Sequence, residues 1–346
     1  MSSRSDRTAS NRVAQAARLA GLASIWRTWQ AQATEDLTGE VAVITGGSRG
    51  LGFLLARDFA RAGCRVAICA RDSEELDRAR AKLAAEGAEV FTRVCDVSQQ
   101  TQVEAMMNAV SEHYGQIDIL VNNAGIIQVG PLETMTLGDF EEAMNVMFWG
   151  MLYPIWAVLP QMRRRHSGRI VNITSVGGKI SPPHLIPYSS AKFAAVGLSE
   201  GLHAELARDG ITVTTIAPGL MRTGSHTQAF FKAPMEGEYT WFALGASLPG
   251  ISMDAERAAE QIVMATRNGE AERILSTPAA VAARFHGLFP GATADMLALV
   301  NRLLPRPDST DTSRARGKEV AQHLGSRWLK AATTFGRSAA KRFNEL

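Results

Sequence analysis

The sequence predicts an α/β fold, a doubly wound parallel sheet between two helical layers, with extra helices at both ends of the chain. Short β-branched runs alternate with longer helical stretches, and the runs are apolar throughout, which is typical of parallel strands buried on both faces. We predict strands at residues 41–45, 65–70, 89–93, 119–122, 169–173, 212–216 and 273–275. The helices between them are predicted at residues 50–62, 73–86, 99–114, 137–165, 188–206 and 255–268.

Both ends of the chain are basic, although the net charge of the 346 residues is only +3. Residues 9–31 predict an amphipathic helix with leucine and tryptophan on one face and arginine elsewhere. Beyond residue 275 we predict an apolar helical stretch at 279–304, a polar linker and a second basic helix. That last helix would place on one side Val320, Leu324, Trp328, Phe335, Ala339 and Phe343.

Composition disfavours several classes of protein. Three cysteines with neither a disulfide framework nor metal spacing indicate a reduced, cytoplasmic setting, and no secretory signal is apparent. The charge-free run at residues 146–162 predicts a buried core or interface helix rather than a membrane span. Scattered histidines disfavour a metal site, and we find no nucleic-acid recognition module.

A glycine-rich turn follows the first predicted strand and leads into a helix. Glycines let the backbone approach a pyrophosphate closely, and the helix N-terminus offers unpaired N–H groups and a partial positive charge. The turn therefore predicts a dinucleotide site, against the alternative of a tight turn without a ligand. Its candidate binding residues are Gly46, Ser48, Arg49, Gly50, Leu51 and Gly52.

The end of the second strand favours NADP(H) over NAD(H), which remains the alternative. The strand ends at Ala70 and is followed by Arg71, where an NAD site usually has a carboxylate for the ribose. Arg71 and Arg49 could both bind a 2′-phosphate through charge-assisted hydrogen bonds. Asp72 could compete as a ribose acceptor, but the helical pattern that follows favours an N-cap role.

Tyr188 and Lys192 lie four residues apart at the start of a predicted helix, and thus on one face. A lysine charge beside a phenol favours the phenolate and lowers its pKa, so the pair could exchange a proton with a substrate oxygen. A buried tyrosine and a solvated lysine that share a face by chance are the alternative.

With these motifs in this order, the chain resembles the short-chain dehydrogenase/reductase family over about residues 37–275. The resemblance rests on the glycine turn, the Asp96-Val97 pair, the run Asn122-Asn123-Ala124-Gly125, Ser175, the Tyr188–Lys192 spacing, and Pro218-Gly219 with Thr223. It implies a Rossmann fold and an NAD(P)-dependent oxidoreductase acting on CH–OH groups. It also implies a homodimer or homotetramer built through the helices at 137–165 and 188–206.

The resemblance also implies residue roles. Tyr188 would be the general acid-base, Lys192 would lower its pKa and hold the nicotinamide ribose, and Ser175 would hydrogen-bond the substrate oxygen. Further cofactor contacts would come from Asp96 and Val97 at the adenine, Asn122, Ala124 and Gly125 along the central sheet, and Pro218, Gly219 and Thr223 near the nicotinamide and phosphates.

One position departs from the family pattern. The family's fourth catalytic residue is an asparagine, and Met147 stands at the corresponding position. Asn145 lies two residues earlier, about 200° around an α-helix, and cannot simply substitute. Either a local irregularity brings Asn145 round, or the proton relay that the asparagine supports is altered.

These observations predict an NADP(H)-dependent enzyme that interconverts a carbonyl and a secondary alcohol. The catalytic domain would span residues 37–275, with extensions at 1–36 and 276–346. The aromatic segment at 220–253 predicts a substrate lid and an apolar substrate. A catalytically weak dinucleotide-binding sensor or scaffold is the alternative, motivated by Met147. For the basic terminal helices we favour docking on the acidic domain or a partner subunit over peripheral membrane contact.

Overall fold

The computed structural model describes residues 36–307, 310–326, 329 and 333–345. The chain divides into two compact units between Asp36 and Leu37. The described helices and strands all belong to the second unit, Leu37–Leu346. The predicted N-terminal helix at residues 9–31 lies outside the described residues, and so does the side chain of Trp328.

Seven parallel strands form the main sheet, in the order β3-β2-β1-β4-β6-β7-β11. Neighbouring strands are in register, with Val43 of β1 between Ala67 of β2 and Leu120 of β4. This confirms the predicted doubly wound sheet, with strand ends shifted by one or two residues. The strands are β1 (Val41–Thr45), β2 (Arg65–Ala70), β3 (Val90–Val94), β4 (Ile119–Asn122), β6 (Gly168–Ile173), β7 (Ile211–Pro218) and β11 (Glu272–Leu275).

Helices cover both faces of this sheet. Side chains alternate between the two faces along each strand, so both faces are apolar and both pack against helices. Ala42 and Ile44 of β1 pack in one apolar cluster with α1 and α8. Val41 and Val43 pack in the opposite cluster with α3, α5 and α6. The helices are α1 (Gly50–Arg61), α2 (Ser73–Ala85), α3 (Gln100–Tyr114), α4 (Leu137–Met144), α5 (Gly150–Arg165), α6 (Ile186–Leu206), α7 (Met235–Ser247) and α8 (Ala255–Arg267).

The helix predicted at 137–165 is interrupted by a π-helical turn, Asn145–Trp149, between α4 and α5. The Gly150 N–H donates to the Asn145 carbonyl, five residues back, and a side chain at Gly150 would collide with Val97. By length and composition, Leu137–Arg165 is the one helix among the described residues that could cross a membrane. Half of its most apolar 18-residue stretch is buried. The core helix of a soluble protein has the same length and composition, so these properties are weak evidence for a membrane span.

The predicted lid segment contains regular structure. Within it lie strands β8 (Met221–Arg222), β9 (Phe230–Phe231) and β10 (Met253–Asp254) as well as α7. Strand β9 pairs with β5 (Gln128–Val129) and β12 (Ala315–Arg316) in a small separate sheet. The ammonium of Lys232, directly after β9, is buried 2.6 Å from a carboxylate oxygen of Asp139. Removing one partner of a buried ion pair is costly, so this contact fixes the segment to α4.

The C-terminal region consists of several short helices. The helical stretch predicted at 279–304 comprises α9 (Thr277–Leu288) and α10 (Pro290–Asn301), with Leu288 and Leu299 exposed. The basic helix is split into α11 (Gly317–Leu324) and α12 (Thr334–Arg342). The positive φ of Gly325, +56°, ends the first of these.

Among the described C-terminal residues, the basic helices pack on the domain. Val320, Ala339 and Phe343 are buried, whereas Phe335 is exposed. The ion pair between Arg342 and Glu256 joins the extension to α8. The extension therefore turns its apolar face towards the domain.

Candidate active site

A cleft of about 890 Å³ opens at the carboxyl end of the main sheet. It lies at the switch point between β1 and β4, where successive connections leave towards opposite faces and ligands of open α/β sheets bind. Most predicted site residues line it: Gly46, Ser48, Arg49, Leu51, Gly52, Arg71, Asp96, Val97, Ala124, Gly125, Ser175, Tyr188, Lys192, Pro218, Gly219 and Thr223. Gly50 and Asn122 do not.

The glycine turn is packed too closely to admit side chains. A Cβ atom on Gly52 would lie 2.1 Å from the Gly46 carbonyl oxygen, and one on Gly46 would lie 2.9 Å from the Cα of Ala124. The Asn123 amide braces this approach by donating to the carbonyls of Thr45 (3.0 Å) and Gly46 (3.1 Å). The turn thus has the close backbone and the helix N-terminus that a pyrophosphate requires.

Asn122 has a different position from the one predicted. Its amide donates to Asn172 at 2.9 Å, and Asn172 donates to Ser199 at 3.0 Å, inside the protein. Because Asn122 is still the last residue of β4, its side chain points towards α6 rather than into the cleft. The side chain of the next residue, Asn123, lines the cleft, although we assigned it no role from sequence.

The two arginines predicted at the cofactor phosphate have different surroundings. Arg49 contacts both carboxylate oxygens of Glu75 at 2.6 Å and lies 3.3 Å from the carboxylate of Glu345. Arg71 is exposed at the rim of the cleft. Asp72 accepts a hydrogen bond from the Glu75 N–H at 3.0 Å and caps α2, as predicted. Neither glutamate is in a local motif that identifies it, so sequence reasoning missed both.

Ser175, Tyr188 and Lys192 come together at one wall of the cleft. Ser175 follows β6, and its hydroxyl accepts a hydrogen bond from the Gly177 N–H at 2.9 Å. The Lys192 ammonium donates to the Ile173 carbonyl at 2.9 Å and lies 5.9 Å from the centre of the Tyr188 ring. A Cβ on Gly177 would lie 3.0 Å from the Tyr188 ring and 3.3 Å from the Ser175 hydroxyl oxygen, so a side chain there would crowd both groups.

Burial sets the protonation of these groups and corrects one prediction. It raises the pKa of Tyr188, and the hydrogen bond with Ser175 offsets only part of the rise. Burial also lowers the pKa of Lys192 to about 8. We expected the lysine charge to lower the tyrosine pKa; in this structure burial raises that pKa, and the contact that lowers it comes from Ser175.

The π-helical turn answers the question about Asn145 and Met147. It is the local irregularity considered above, yet Asn145 remains exposed. Met147 is buried, and its sulfur would lie 3.8 Å from a Cβ atom on Gly125. A thioether therefore lies beside the cleft where the family pattern has an amide.

The far end of the cleft is largely apolar. Its wall includes Leu185, Trp241 and Phe242, together with Phe230. Two arginines of the C-terminal extension reach this wall, with the Arg314 guanidinium 4.3 Å and that of Arg316 5.6 Å from the centre of the Phe230 ring. Sequence reasoning missed both, because their approach depends on the pairing of β12 with β9.

Metal-binding geometry is absent from the part of the chain that the structure describes: no three His, Cys, Asp or Glu side chains are grouped to hold an ion.

Two of the predicted cofactor-binding residues, Asp96 and Thr223, make local hydrogen bonds and also line the cleft. Asp96 accepts from the backbone of Ser98 at 3.0 Å, and Thr223 from that of Ser225 at 3.2 Å.

Comparison with known proteins gives consistent matches. A family model described as short chain dehydrogenase matches residues 40–232. A putative ketoacyl reductase of Streptomyces coelicolor is 40% identical over 195 residues, 55% of this chain and 73% of that protein. A solved short-chain dehydrogenase from Streptomyces avermitilis has a TM-score of 0.65 and 32% identity, covering 76% of this chain and 98% of its own. An actinorhodin polyketide ketoreductase variant solved with NADPH has a TM-score of 0.60 and 31% identity, covering 69% and 95%.

The contact between α6 and the turn after Ser175 generates a stability prediction. A Cβ on Gly178 would lie 2.5 Å from the Lys192 carbonyl oxygen, so Gly178→Ala should destabilise the protein by about 1–3 kcal/mol through overpacking. Gly197→Ala is the matched control: it lies in α6 with open space around it and should stabilise by about 0.5–1 kcal/mol. Urea unfolding of both variants measures the difference, and equal stabilities would contradict the packing argument.

Proposed function

This chain belongs to the short chain dehydrogenase family, and we propose that it interconverts a carbonyl and a secondary alcohol on an apolar substrate with NADP(H). The family assignment makes it an oxidoreductase of CH–OH groups with a nicotinamide dinucleotide cofactor. The observation that carries the proposal is the convergence of Ser175, Tyr188 and Lys192 on the cleft that contains the glycine turn.

In the proposed reaction the bound nicotinamide supplies or accepts the hydride. The Tyr188 hydroxyl donates its proton to the substrate oxygen during reduction and takes it back during oxidation. The Ser175 hydroxyl donates a hydrogen bond to the same oxygen as negative charge develops there. A phenol is protonated at neutral pH, and burial, which raises the pKa of Tyr188, keeps it in the form that can donate a proton in reduction.

Lys192 contributes a buried positive charge close to the tyrosine. Its ammonium is fixed by the Ile173 carbonyl, so the charge has a defined position when the phenolate forms. An ammonium near a phenolate stabilises it by Coulomb attraction, most strongly where water is excluded. We propose that this charge acts on the transition state, although it does not lower the resting pKa of Tyr188.

NADP(H) is supported by the residues around the end of β2. Ala70 ends the strand without a carboxylate, and Arg49 and Arg71 line the cleft nearby. Asp72, the alternative ribose acceptor, is engaged in capping α2. The ketoreductase relative solved with NADPH is consistent with this preference.

An apolar substrate is supported by the wall formed by Leu185, Trp241 and Phe242. Apolar and aromatic walls with a few polar groups are typical of small-molecule sites. Trp241 and Phe242 lie on α7, inside the predicted lid segment, and their contacts would exclude water from the reacting carbon.

A catalytically weak dinucleotide-binding sensor or scaffold is the second candidate, favoured by one observation. Met147 is buried beside the cleft, and Asn145, the nearby amide, is exposed. Without an amide to hold water near Lys192, proton exchange with solvent would be slow. NADPH binding without turnover on any carbonyl would support this candidate.

We also propose a cytoplasmic homo-oligomer. Trp149 and Trp156 of the α4–α5 region and Phe193 of α6 expose large apolar surfaces on the two long helices. Such clustered exposure is typical of a protein interface. The cytoplasmic location is supported by the three cysteines, which are all free and buried.

Replacement of the tyrosine tests catalysis. Tyr188→Phe removes the proton donor and should lower kcat by about 10²–10⁴-fold, the usual contribution of a general acid. NADPH affinity should change little. The assay follows NADPH and NADH oxidation with a panel of apolar ketones, and Tyr153→Phe, outside the cleft, is the control. If no ketone is reduced and Tyr188→Phe behaves like wild type, the proposed function is wrong.

The protonation of Lys192 predicts a pH dependence. Its pKa of about 8 means that its charge is present below that pH and lost above it. For reduction, kcat/KM should therefore fall as pH rises through about 8, since kcat/KM reports groups of the free enzyme. Lys192→Arg keeps the charge and should move the falling limb to higher pH. An unmoved limb would assign it to another group.

The oligomer proposal predicts the effect of a charge on the exposed helix face. Trp156 is 70% exposed, and Trp156→Glu should dissociate the oligomer because a buried unpaired carboxylate is costly at an interface. Light scattering after gel filtration measures the mass. Exposed Glu112→Gln on α3 is a control, and a wild-type monomer would contradict the proposal.

A further inference from the structure

The last described residues of the chain lie against the glycine turn. The Phe343 carbonyl accepts a hydrogen bond from the Gly50 N–H at 2.7 Å. The Asn344 amide donates to the carbonyls of Ser48 (2.8 Å) and Glu75 (3.1 Å). Three backbone groups in and beside the turn are thus hydrogen-bonded to the C-terminal tail, residues 343–345.

Glu345 brings a carboxylate into the same place. The residue is 5% exposed and lines the cleft. A Cβ on Gly50 would lie 2.5 Å from one of its carboxylate oxygens and 3.9 Å from the Cβ of Thr223. Its backbone carbonyl accepts from the Gln228 amide at 2.7 Å, which fixes the tail over the turn.

The Glu345 carboxylate is held by an ion pair rather than by well-formed hydrogen bonds. Its nearest cation is Arg49, at 3.3 Å, and Arg49 is shared with Glu75. The oxygen Oε2 has no hydrogen bond to any described residue. Burial, together with the Glu75 charge, raises the pKa of Glu345 to about 7 in spite of Arg49. The docked tail therefore has a poorly satisfied anionic end that can be displaced at modest cost.

The position of this carboxylate is the place where the turn would bind phosphate. Backbone N–H groups at the start of α1 attract anions, and here the N–H of Gly50 already has a partner in the tail. Two anionic groups cannot share a small, partly buried site without strong repulsion. Glu345 and a cofactor phosphate are consequently alternatives at the glycine turn.

We propose that Glu345 is an intramolecular competitor of the cofactor phosphates and sets the affinity for the dinucleotide. The proposal rests on the proposed function, since it assumes that this cleft binds NADP(H). Binding requires the tail to leave Gly50 and Arg49. Arg49 then exchanges the Glu345 carboxylate for a cofactor phosphate, and because NADPH and NADH both require this release, the tail opposes the two by the same factor.

Titration of the purified full chain with NADPH and with NADH, followed by cofactor fluorescence, tests the proposal. Glu345→Gln keeps the shape of the side chain and removes its charge. Its Kd for NADPH and its Kd for NADH should both fall by about tenfold, because a larger fraction of the protein has an open site. A variant that ends at Phe343 should show the same changes. The control Glu260→Gln removes an exposed charge from α8 and should change neither Kd.

Hydrogen exchange of residues 334–345 gives a second readout that is independent of activity. Exchange in this segment should increase when NADPH is added to the wild type, because the tail leaves the turn. Decreased exchange, or weaker NADPH binding by Glu345→Gln, would show that the tail closes over the cofactor and would overturn the proposal.

The two proposals fail in different ways. If wild type and Glu345→Gln bind NADPH with the same Kd, competition by the tail is wrong and the proposed function stands. If neither protein binds NADPH or NADH, the proposed function is wrong, and the competition falls with it.

Discussion

The close approach of the glycine turn to the loop after β4 is the constraint on which the site depends. Gly46 and Gly52 have no space for a side chain, and Asn123 ties the two segments together through the carbonyls of Thr45 and Gly46. This packing places the N-terminus of α1 at the switch point of the sheet, where an anionic ligand is stabilised. The strands on the other side of the switch then supply the opposite wall of the cleft, with Ser175 after β6.

Desolvation decides the protonation of the titratable groups around the cleft. The same burial that raises the pKa of Tyr188 lowers that of Lys192 and raises that of Glu345. Each group is thereby moved towards its neutral form, as expected where water is excluded. A protonated phenol suits proton donation, and a carboxylate that is easily neutralised suits the proposed release of the tail. Burial therefore links the packing of the domain to the chemistry of its cleft.

The C-terminal extension makes this cleft different from a bare doubly wound domain. The match to the family model ends at residue 232, whereas the cleft is completed by Arg314, Arg316 and Glu345. The first two reach the apolar end of the cleft through the pairing of β12 with β9, and Glu345 reaches the glycine turn through the docking of α12. The C-terminal extension thus contacts both ends of the cleft.

The sequence by itself determined the parallel sheet, because apolar runs that alternate with helical stretches are typical of parallel strands buried on both faces. It also located the glycine turn and the Ser175, Tyr188 and Lys192 set, because these are local motifs with fixed spacing. The tertiary structure alone decided that Asn122 points into the core, that the helix after Leu137 contains a π turn leaving Asn145 outside, and that Glu345 lies on Gly50. These outcomes depend on contacts between residues up to almost 300 positions apart. Spacing along the chain carries no signal for such contacts, since they arise from how the finished layers pack.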